Sequence, residues 1–304
     1  MKVLVVYGGD SPEHDVSVRS GMAVMRAGEK AGHDVSGFEF DGTESEALVS
    51  AIKSVDVVLP ILHGKGGEDG YIQSILEKHS VKYLGSDPLS SKNCFDKEIT
   101  RRTLKQNGIL VPEGGLLSYD EYMASEISGH KHVLKPVDGG STIDTVIVRD
   151  IAIYSPESSK PLFDKHQKLL VEELIEGVEI TVAVVDGLEG KLIPIEIIPP
   201  EGAEFDYDNK YNGKTQEICP PINVSHDDQE RAMELSEKVH QIMGCRHLSR
   251  TDIILTPSGE MYVLEINTIP GLTDQSLVPG TAKTAGYEMP DLVDHFIKLA
   301  NSSH

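Results

Sequence analysis

The chain has 304 residues, with 28 Lys and Arg against 49 Asp and Glu, a formal net charge of −21. A field of that sign repels polyanions and anionic bilayers, so general nucleic-acid binding and membrane adsorption are excluded. At 39% hydrophobic and 25% charged residues the composition is that of a globular protein of about two domains, and no apolar run nears the roughly 20 residues that span a bilayer.

The first predicted element is a strand, an apolar run at 3–6 that ends at Gly8-Gly9. The run meets this glycine loop too early for a signal peptide. A polar loop at 10–15 precedes a helix with Val18, Met22 and Met25 on one face, stopping near Gly32. A second buried-type strand at 55–62 leads through His63-Gly64-Lys65-Gly66-Gly67-Glu68-Asp69-Gly70 into a helix marked by Ile72, Ile75 and Leu76. Strand, glycine loop and helix, twice over, imply a parallel α/β layer for about the first 85 residues, with ligands at the carboxyl ends of its strands.

Gly85-Ser86-Asp87-Pro88 reads as a turn and a boundary, and one polar helix is expected at 90–106. Short β-branched runs then follow at 132–137, 145–148, 169–174, 179–185 and 192–198, the pattern of an antiparallel α+β region. The polar stretch 200–221 has the length of an active-site lid. Ser225 with Asp228 reads as a capping box before a helix with Ala232, Leu235, Val239 and Ile242 on one face, ended by Gly244. A hairpin at 250–267 and a helix at 290–300 close the chain. Cys94, Cys219 and Cys245 form no paired motif, which fits a reducing, cytoplasmic setting and argues against a disulfide scaffold or a thiolate zinc site.

The hairpin carries the clearest chemistry. A two-residue turn at Ser258-Gly259 puts Asp252 directly opposite Glu265, with Arg250 and Asn267 on the same face. Opposed carboxylates in an otherwise apolar hairpin repel unless a cation joins them. Either Mg²⁺ does so, held by the all-oxygen set Asp252, Glu265 and Asn267, or one carboxylate is protonated or Arg250 neutralises the pair structurally. Mg²⁺ held by few carboxylates also bridges substrate phosphates, so a phosphate cradle is expected elsewhere. Gly213-Lys214-Thr215 is not a P-loop, because Asp208 stands where its first glycine belongs, and Gly8-Gly9 lacks dinucleotide-fold spacing. The remaining candidate is Lys135-Pro136-Val137-Asp138-Gly139-Gly140-Ser141-Thr142, either an anion-binding nest or an ordinary turn.

Together these pieces resemble the D-alanine–D-alanine ligase family of ATP-grasp enzymes, over nearly the whole chain. The carriers are Tyr7-Gly8-Gly9-Asp10-Ser11-Pro12-Glu13-His14-Asp15-Val16-Ser17, the 63–70 loop, Phe205-Asp206-Tyr207-Asp208-Asn209-Lys210-Tyr211, and Leu264-Glu265-Ile266-Asn267-Thr268-Ile269-Pro270-Gly271-Leu272-Thr273 with Ser276-Leu277-Val278-Pro279. The resemblance implies an α/β N-terminal domain (1–87) with a parallel sheet. Two α+β ATP-grasp domains (88–175 and 176–304) with mainly antiparallel sheets would follow, the last carrying a lid at 200–221. It implies ATP-dependent joining of two D-alanines through a D-alanyl phosphate, for peptidoglycan precursor synthesis, with Mg²⁺ or Mn²⁺ as cofactor and a possible homodimer.

The implied roles fall on matched positions. Lys97 and Lys135 would contact the α- and β-phosphates and Lys210 the γ-phosphate. Glu172, Leu174 and Ile175 would read the adenine, and Glu179 the ribose. Glu13 would bind the first D-alanine's ammonium, grouped with Ser141 and Tyr211. Arg250 and the Gly271 amide would stabilise the oxyanion, and Ser276 with the Leu277 amide would hold the second carboxylate. His63 would position or deprotonate the attacking amine, or be a core histidine. The implied cleft is locally positive on an acidic surface. Three features depart from the family pattern: Asp144 in the phosphate loop, His247 where glycine is common, and a shorter 149–168. The rivals are a D-alanyl-D-lactate or D-alanyl-D-serine ligase, a nucleotide-binding module without catalysis, and a solvated acidic binding protein.

Overall fold

The computed structural model describes residues 1–199, 215–273 and 275–302. Strand β1 (Lys2–Gly8), helix α1 (His14–Lys30), β2 (Asp34–Phe40), α2 (Glu46–Ile52), β3 (Val57–Pro60) and α3 (Tyr71–Lys78) form the first layer. The sheet is parallel in the order β2-β1-β3, with Val5 paired to Gly37 on one side and Leu59 on the other. Val3, Val5, Val6, Val57 and Leu59 are fully buried, as expected of a strand covered on both faces.

The expected face of α1 packs only in part, through Met25. Met22 is 39% exposed, and the buried side is instead Ser17, Ser20, Gly21, Val24, Ala27 and Gly28. Small residues let this helix lie close against the sheet. A Cβ on Gly21 would come within 2.6 Å of Tyr7 Cβ, and one on Gly28 within 2.9 Å of Val35 Cγ2. Apolar periodicity points to the wrong side when close approach, not bulk, defines the contact.

The single polar helix is two, α4 (Pro88–Phe95) and α5 (Lys97–Gln106). Asp96 leaves the helical region at φ −84° and ψ 105°, and its carboxylate accepts the Ile99 N–H. The break puts Lys97 at the start of α5. Next come β4 (Gly114–Ser118), α6 (Tyr119–Ala124), β5 (His132–Lys135), β6 (Val146–Val148), α7 (Lys160–His166) and β7 (Lys168–Glu173). Their four strands form an antiparallel sheet in the order β4-β7-β5-β6, over a core of Tyr122, Leu134, Phe163, Leu169 and Val171.

The rest comprises β8 (Val178–Val185), β9 (Ile195–Ile198), β10 (Gln216–Ile218), α8 (His226–Ile242), β11 (Leu248–Leu255), β12 (Met261–Asn267), α9 (Leu277–Thr284) and α10 (Met289–Ser302). A second antiparallel sheet runs β10-β9-β8-β11-β12. Ser225 caps α8 by accepting the Asp228 N–H at 3.1 Å. Leu104 of α5 joins Val239, Ile253 and Val263 in one core, so α4 and α5 pack on this sheet. Helix α10 returns to the first layer, burying Val293, Phe296 and Ile297 with Val3, Val57 and Leu59.

The hairpin register holds where it matters. Arg250 pairs with Asn267, Thr251 with Ile266 and Asp252 with Glu265, but beyond them Ile253 pairs with Val263. The loop has three residues, 257–259, closed by the Thr256 N–H donating to Glu260 O, and a β-bulge at Leu264 takes up the difference. The two departures from the expected hairpin cancel at the carboxylates.

His247 adopts a left-handed conformation, φ +67°, where glycine is the easiest occupant. Its Nδ1 accepts the Gly85 N–H at 2.9 Å, linking the first layer to the second sheet. Burial, reinforced by Arg246, pushes its pKa down from 6.5 to about 4. The unfolded chain therefore takes up this proton first as the pH falls. The stability is whole above pH 6.5 and is lost on the way to pH 4, by about 3 kcal/mol at most. His247→Gly should shift stability at pH 7 by no more than about 1 kcal/mol, since backbone relief offsets the lost hydrogen bond. Its denaturant midpoint should fall less steeply than wild type between pH 6.5 and 4; parallel acid limbs would remove His247 from the titration.

Candidate active site

Two cavities lie side by side and share Lys97, Gly139, Gly140 and Glu265. The smaller, about 190 Å³, is a cleft between the two antiparallel sheets. The larger, about 600 Å³, is a chamber between the start of α1, the hairpin and the segment around 270–278.

In the cleft, Lys135 at the end of β5 meets Glu172 of β7, with Nζ 2.8 Å from Oε2. Burial alone would lower the Lys135 ammonium, but Glu172, with help from Glu265, outweighs it and the net shift is upward. Leu174, Ile175 and Glu179 line the same cleft. The Lys97 Nζ donates to Gly139 O at 2.6 Å and lies 3.5 Å from Glu265 Oε2, while the Lys97 N–H donates to Val137 O. Helix α5 thereby holds the glycine turn. Beyond it Ser141, Thr142 and Asp144 are all left-handed, with φ of 54°, 61° and 57°. Asp144 does not load the cleft with charge. Its carboxylate pairs with Lys165 at 2.6 Å and His166 at 2.8 Å on α7, which hold its pKa down.

In the chamber, Glu13 precedes α1 and is 8% exposed. Ser141 Oγ donates to its Oε1, and a Cβ on Gly140 would stand 2.8 Å from its Oε2, so a glycine there lets the two segments meet. His63 is buried with both ring nitrogens engaged. Nδ1 donates to Ile269 O at 3.0 Å, and Ser20 Oγ donates to Nε2 while accepting the Leu272 N–H. The imidazole braces the segment that carries Gly271 and is committed to that task. Gly271 abuts Ser276, whose Oγ accepts the Thr273 N–H at 3.0 Å. A Cβ on Gly271 would stand 2.9 Å from that oxygen. Gly271→Ala should displace Ser276 and lower kcat/KM about ten- to a hundredfold with little change in melting temperature. Wild-type kinetics would show that the segment has room to spare.

Asp252, Glu265, Arg250 and Asn267 converge where cleft and chamber meet. The Arg250 guanidinium grips Asp252 with Nε to Oδ1 at 2.9 Å and Nη2 to Oδ2 at 2.8 Å, and Thr181 Oγ1 also donates to Oδ1. Burial would lower the arginine, yet Asp252, with Glu265 and Glu68 behind it, raises it overall. Asn267 Oδ1 accepts the Ile269 N–H. Among the described residues no group of three or more His, Cys, Asp or Glu gathers as a metal cage. Two opposed carboxylates and an amide, all oxygen donors, fit a hard dication that keeps positions for phosphate and water.

Lys210 and Tyr211 lie outside the described residues. Sequence reasoning missed Glu68, which lines the chamber, accepts the Gly64 N–H at 2.9 Å and lies 3.8 Å from His63 Nδ1. Its only signal was its place in the 63–70 glycine loop. Arg19 and Glu217 also line the chamber.

Residues 37–86 match the D-ala D-ala ligase N-terminus family, and residues 120–298 the D-ala D-ala ligase C-terminus family. The chain belongs to the D-alanine–D-alanine ligase family. A D-alanine–D-alanine ligase of Carboxydothermus hydrogenoformans is 36% identical over 98% of both chains. One from Desulforudis audaxviator is also 36% identical at the same coverage. The crystal structure of the D-alanine–D-alanine ligase from Bacillus anthracis superposes with a TM-score of 0.83 at 31% identity, covering 99% of this chain and 97% of that one. VanG D-Ala:D-Ser ligase from Enterococcus faecalis superposes with a TM-score of 0.81 at 28% identity, covering 98% and 99%. The fold is accordingly that of the ATP-grasp ligases, a parallel N-terminal layer followed by two antiparallel sheets.

Proposed function

We propose that this chain uses ATP to join two D-alanines into D-alanyl-D-alanine, for peptidoglycan precursors, through a D-alanyl phosphate. The observation that carries the reading is the junction at Lys97 and Glu265, where the cleft opens directly onto the chamber. A carboxylate is a poor acyl donor, so phosphoryl transfer comes first and needs neutralised charge. ATP lies in the cleft, its adenine against Glu172, Leu174 and Ile175 and its ribose on Glu179. Lys97 and Lys135 take the inner phosphates, with Lys210 reaching the outer one from 200–221. Asp252, Glu265 and Asn267 would hold Mg²⁺ or Mn²⁺, which supplies positive charge to phosphate oxygens.

Glu13, oriented by Ser141 and Tyr211, takes the first ammonium. Arg250 and the Gly271 amide stabilise the oxyanion formed when the second amine attacks. Ser276 and the Leu277 amide hold the second carboxylate. Three units, 1–87, 88–175 and 176–304, are the organisation we favour, with α4 and α5 shared because their buried faces join the C-terminal core. A cytoplasmic location and a homodimer belong to the same reading. No helix among the described residues is long and apolar enough to cross a membrane.

The acceptor is D-alanine in the curated relatives named above, while a solved neighbour is a D-Ala:D-Ser ligase. The test is Mg·ATP with D-alanine alone, then with D-serine or D-lactate, reading phosphate and product together. Equal phosphate and D-alanyl-D-alanine supports the proposal. Faster D-alanyl-D-serine or D-alanyl-D-lactate formation would move the acceptor, and ATP hydrolysis unstimulated by D-alanine would overturn ligation altogether.

A further inference from the structure

Two thiols take no part in the chemistry above. Cys94 on α4 and Cys245 between α8 and β11 are 151 residues apart, yet their Sγ atoms lie 3.6 Å from each other. Their contact is one point on a longer seam. A Cβ on Gly244 would stand 2.8 Å from Ser90 Oγ, so Ser90 and Cys94, one helical turn apart, face the same 244–245 turn. Further along, the Arg246 N–H donates to Ser86 Oγ, and its Nε donates to Gly85 O at 2.7 Å. The Arg246 guanidinium also lies over the Tyr83 ring, 4.8 Å from its centroid. The seam therefore holds the thiols in register. Cys94 is also part of the chamber wall.

We propose that Cys94 and Cys245 are a redox modification site, closing to a reversible disulfide with a low-molecular-weight disulfide and so fastening α4 to the C-terminal sheet. Cys94 is buried and Cys245 partly exposed. The contact with Cys245 and burial push the Cys94 thiol up, so Cys245 leads. Its thiolate attacks one sulfur of the reagent, forming a mixed disulfide and expelling one thiolate, which takes up a proton. Cys94 then loses its proton and attacks Cys245 Sγ, and the second reagent thiolate leaves and is protonated. Two protein thiols are oxidised, and one reagent disulfide is reduced to two thiols. The new bond is about 2.05 Å long, so thiols already in contact need only a small side-chain movement. The bond closes a long loop in the unfolded chain, which favours the folded state.

The experiment incubates the native full chain with oxidised glutathione, caps the remaining thiols after denaturation, and maps peptides by mass spectrometry. The expected product is a peptide pair linked through Cys94 and Cys245, lighter by two hydrogens, with Cys219 capped. The melting temperature should rise by several degrees and return with dithiothreitol. Cys219→Ser should behave as wild type. Cys245→Ser and, separately, Cys94→Ala should give neither link nor shift, so misfolding of one variant leaves the other decisive. Glutathione adducts without the link, a link through Cys219, or a link that leaves the melting temperature unchanged or lower would each overturn the proposal.

Discussion

Glu265→Ala should abolish dipeptide formation while leaving the fold nearly intact. Glu265 stands at the junction of cleft and chamber, opposite Asp252 and 3.5 Å from Lys97. It is partly open, at 30% side-chain exposure, so its loss opens no deep cavity. Lys97 keeps its bond to Gly139 O, and Asp252 keeps Arg250. Stability should therefore change by about 1 kcal/mol or less. Catalysis has no such reserve. In the proposed reaction, negative charge accumulates on a phosphate at this point, and Glu265 supplies one of the two opposed carboxylates that would hold a neutralising cation. Removing such electrostatic support costs on the order of a hundred- to a thousandfold in kcat. Glu265→Gln keeps the shape and drops the charge, so it should fall nearly as far as Glu265→Ala. The check is phosphate release and dipeptide yield beside a melting curve, over a range of Mg²⁺. Turnover within a factor of two of wild type would remove Glu265 from the reaction.

What was legible in the sequence was what depends on neighbours along the chain. Continuous apolar runs gave β1 and β3, alternating glycine loops gave the parallel layer, and Ser225 with Asp228 gave the start of α8. The opposed carboxylates were legible although the assumed turn was wrong, because the bulge at Leu264 returns the inner pairs to register. Edge strands β2 and β10 were not, since their mixed, largely exposed residues carry little periodicity. The α1 face was misread because Ser20, Gly21 and Gly28 pack through closeness. The break at Asp96 needed the capping geometry.

Contacts spanning great sequence distance were invisible to local pattern. Ser141 meeting Glu13 came only from resemblance, and the seam at His247 and Cys245 had no signal at all. The charge reading also changes. A locally positive cleft was expected; among the described residues three of its cations are each paired with a carboxylate, Lys97 with Glu265, Lys135 with Glu172 and Arg250 with Asp252. An anionic substrate must compete with these partners for its contacts.

That pairing makes Arg250 the second decisive position, because it has a structural partner and a proposed catalytic task at once. Arg250→Met leaves the half-buried Asp252 beside Thr181, opposite Glu265, without its bidentate cation. Breaking a buried pair from one side costs about 3–5 kcal/mol. Arg250→Met with Asp252→Asn removes the unpaired charge and should recover most of that stability. Dipeptide formation should not return, because neither the oxyanion donor nor the Asp252 carboxylate is restored. Arg250→Lys separates the two roles further. A lysine keeps the charge but cannot form the planar fork, so it should hold stability better than methionine while losing most turnover. Denaturant unfolding and steady-state kinetics on the three variants give the answer. If the double variant regained activity along with stability, Arg250 would be a structural ion pair alone, and the oxyanion would have to rest on Gly271 and its neighbours.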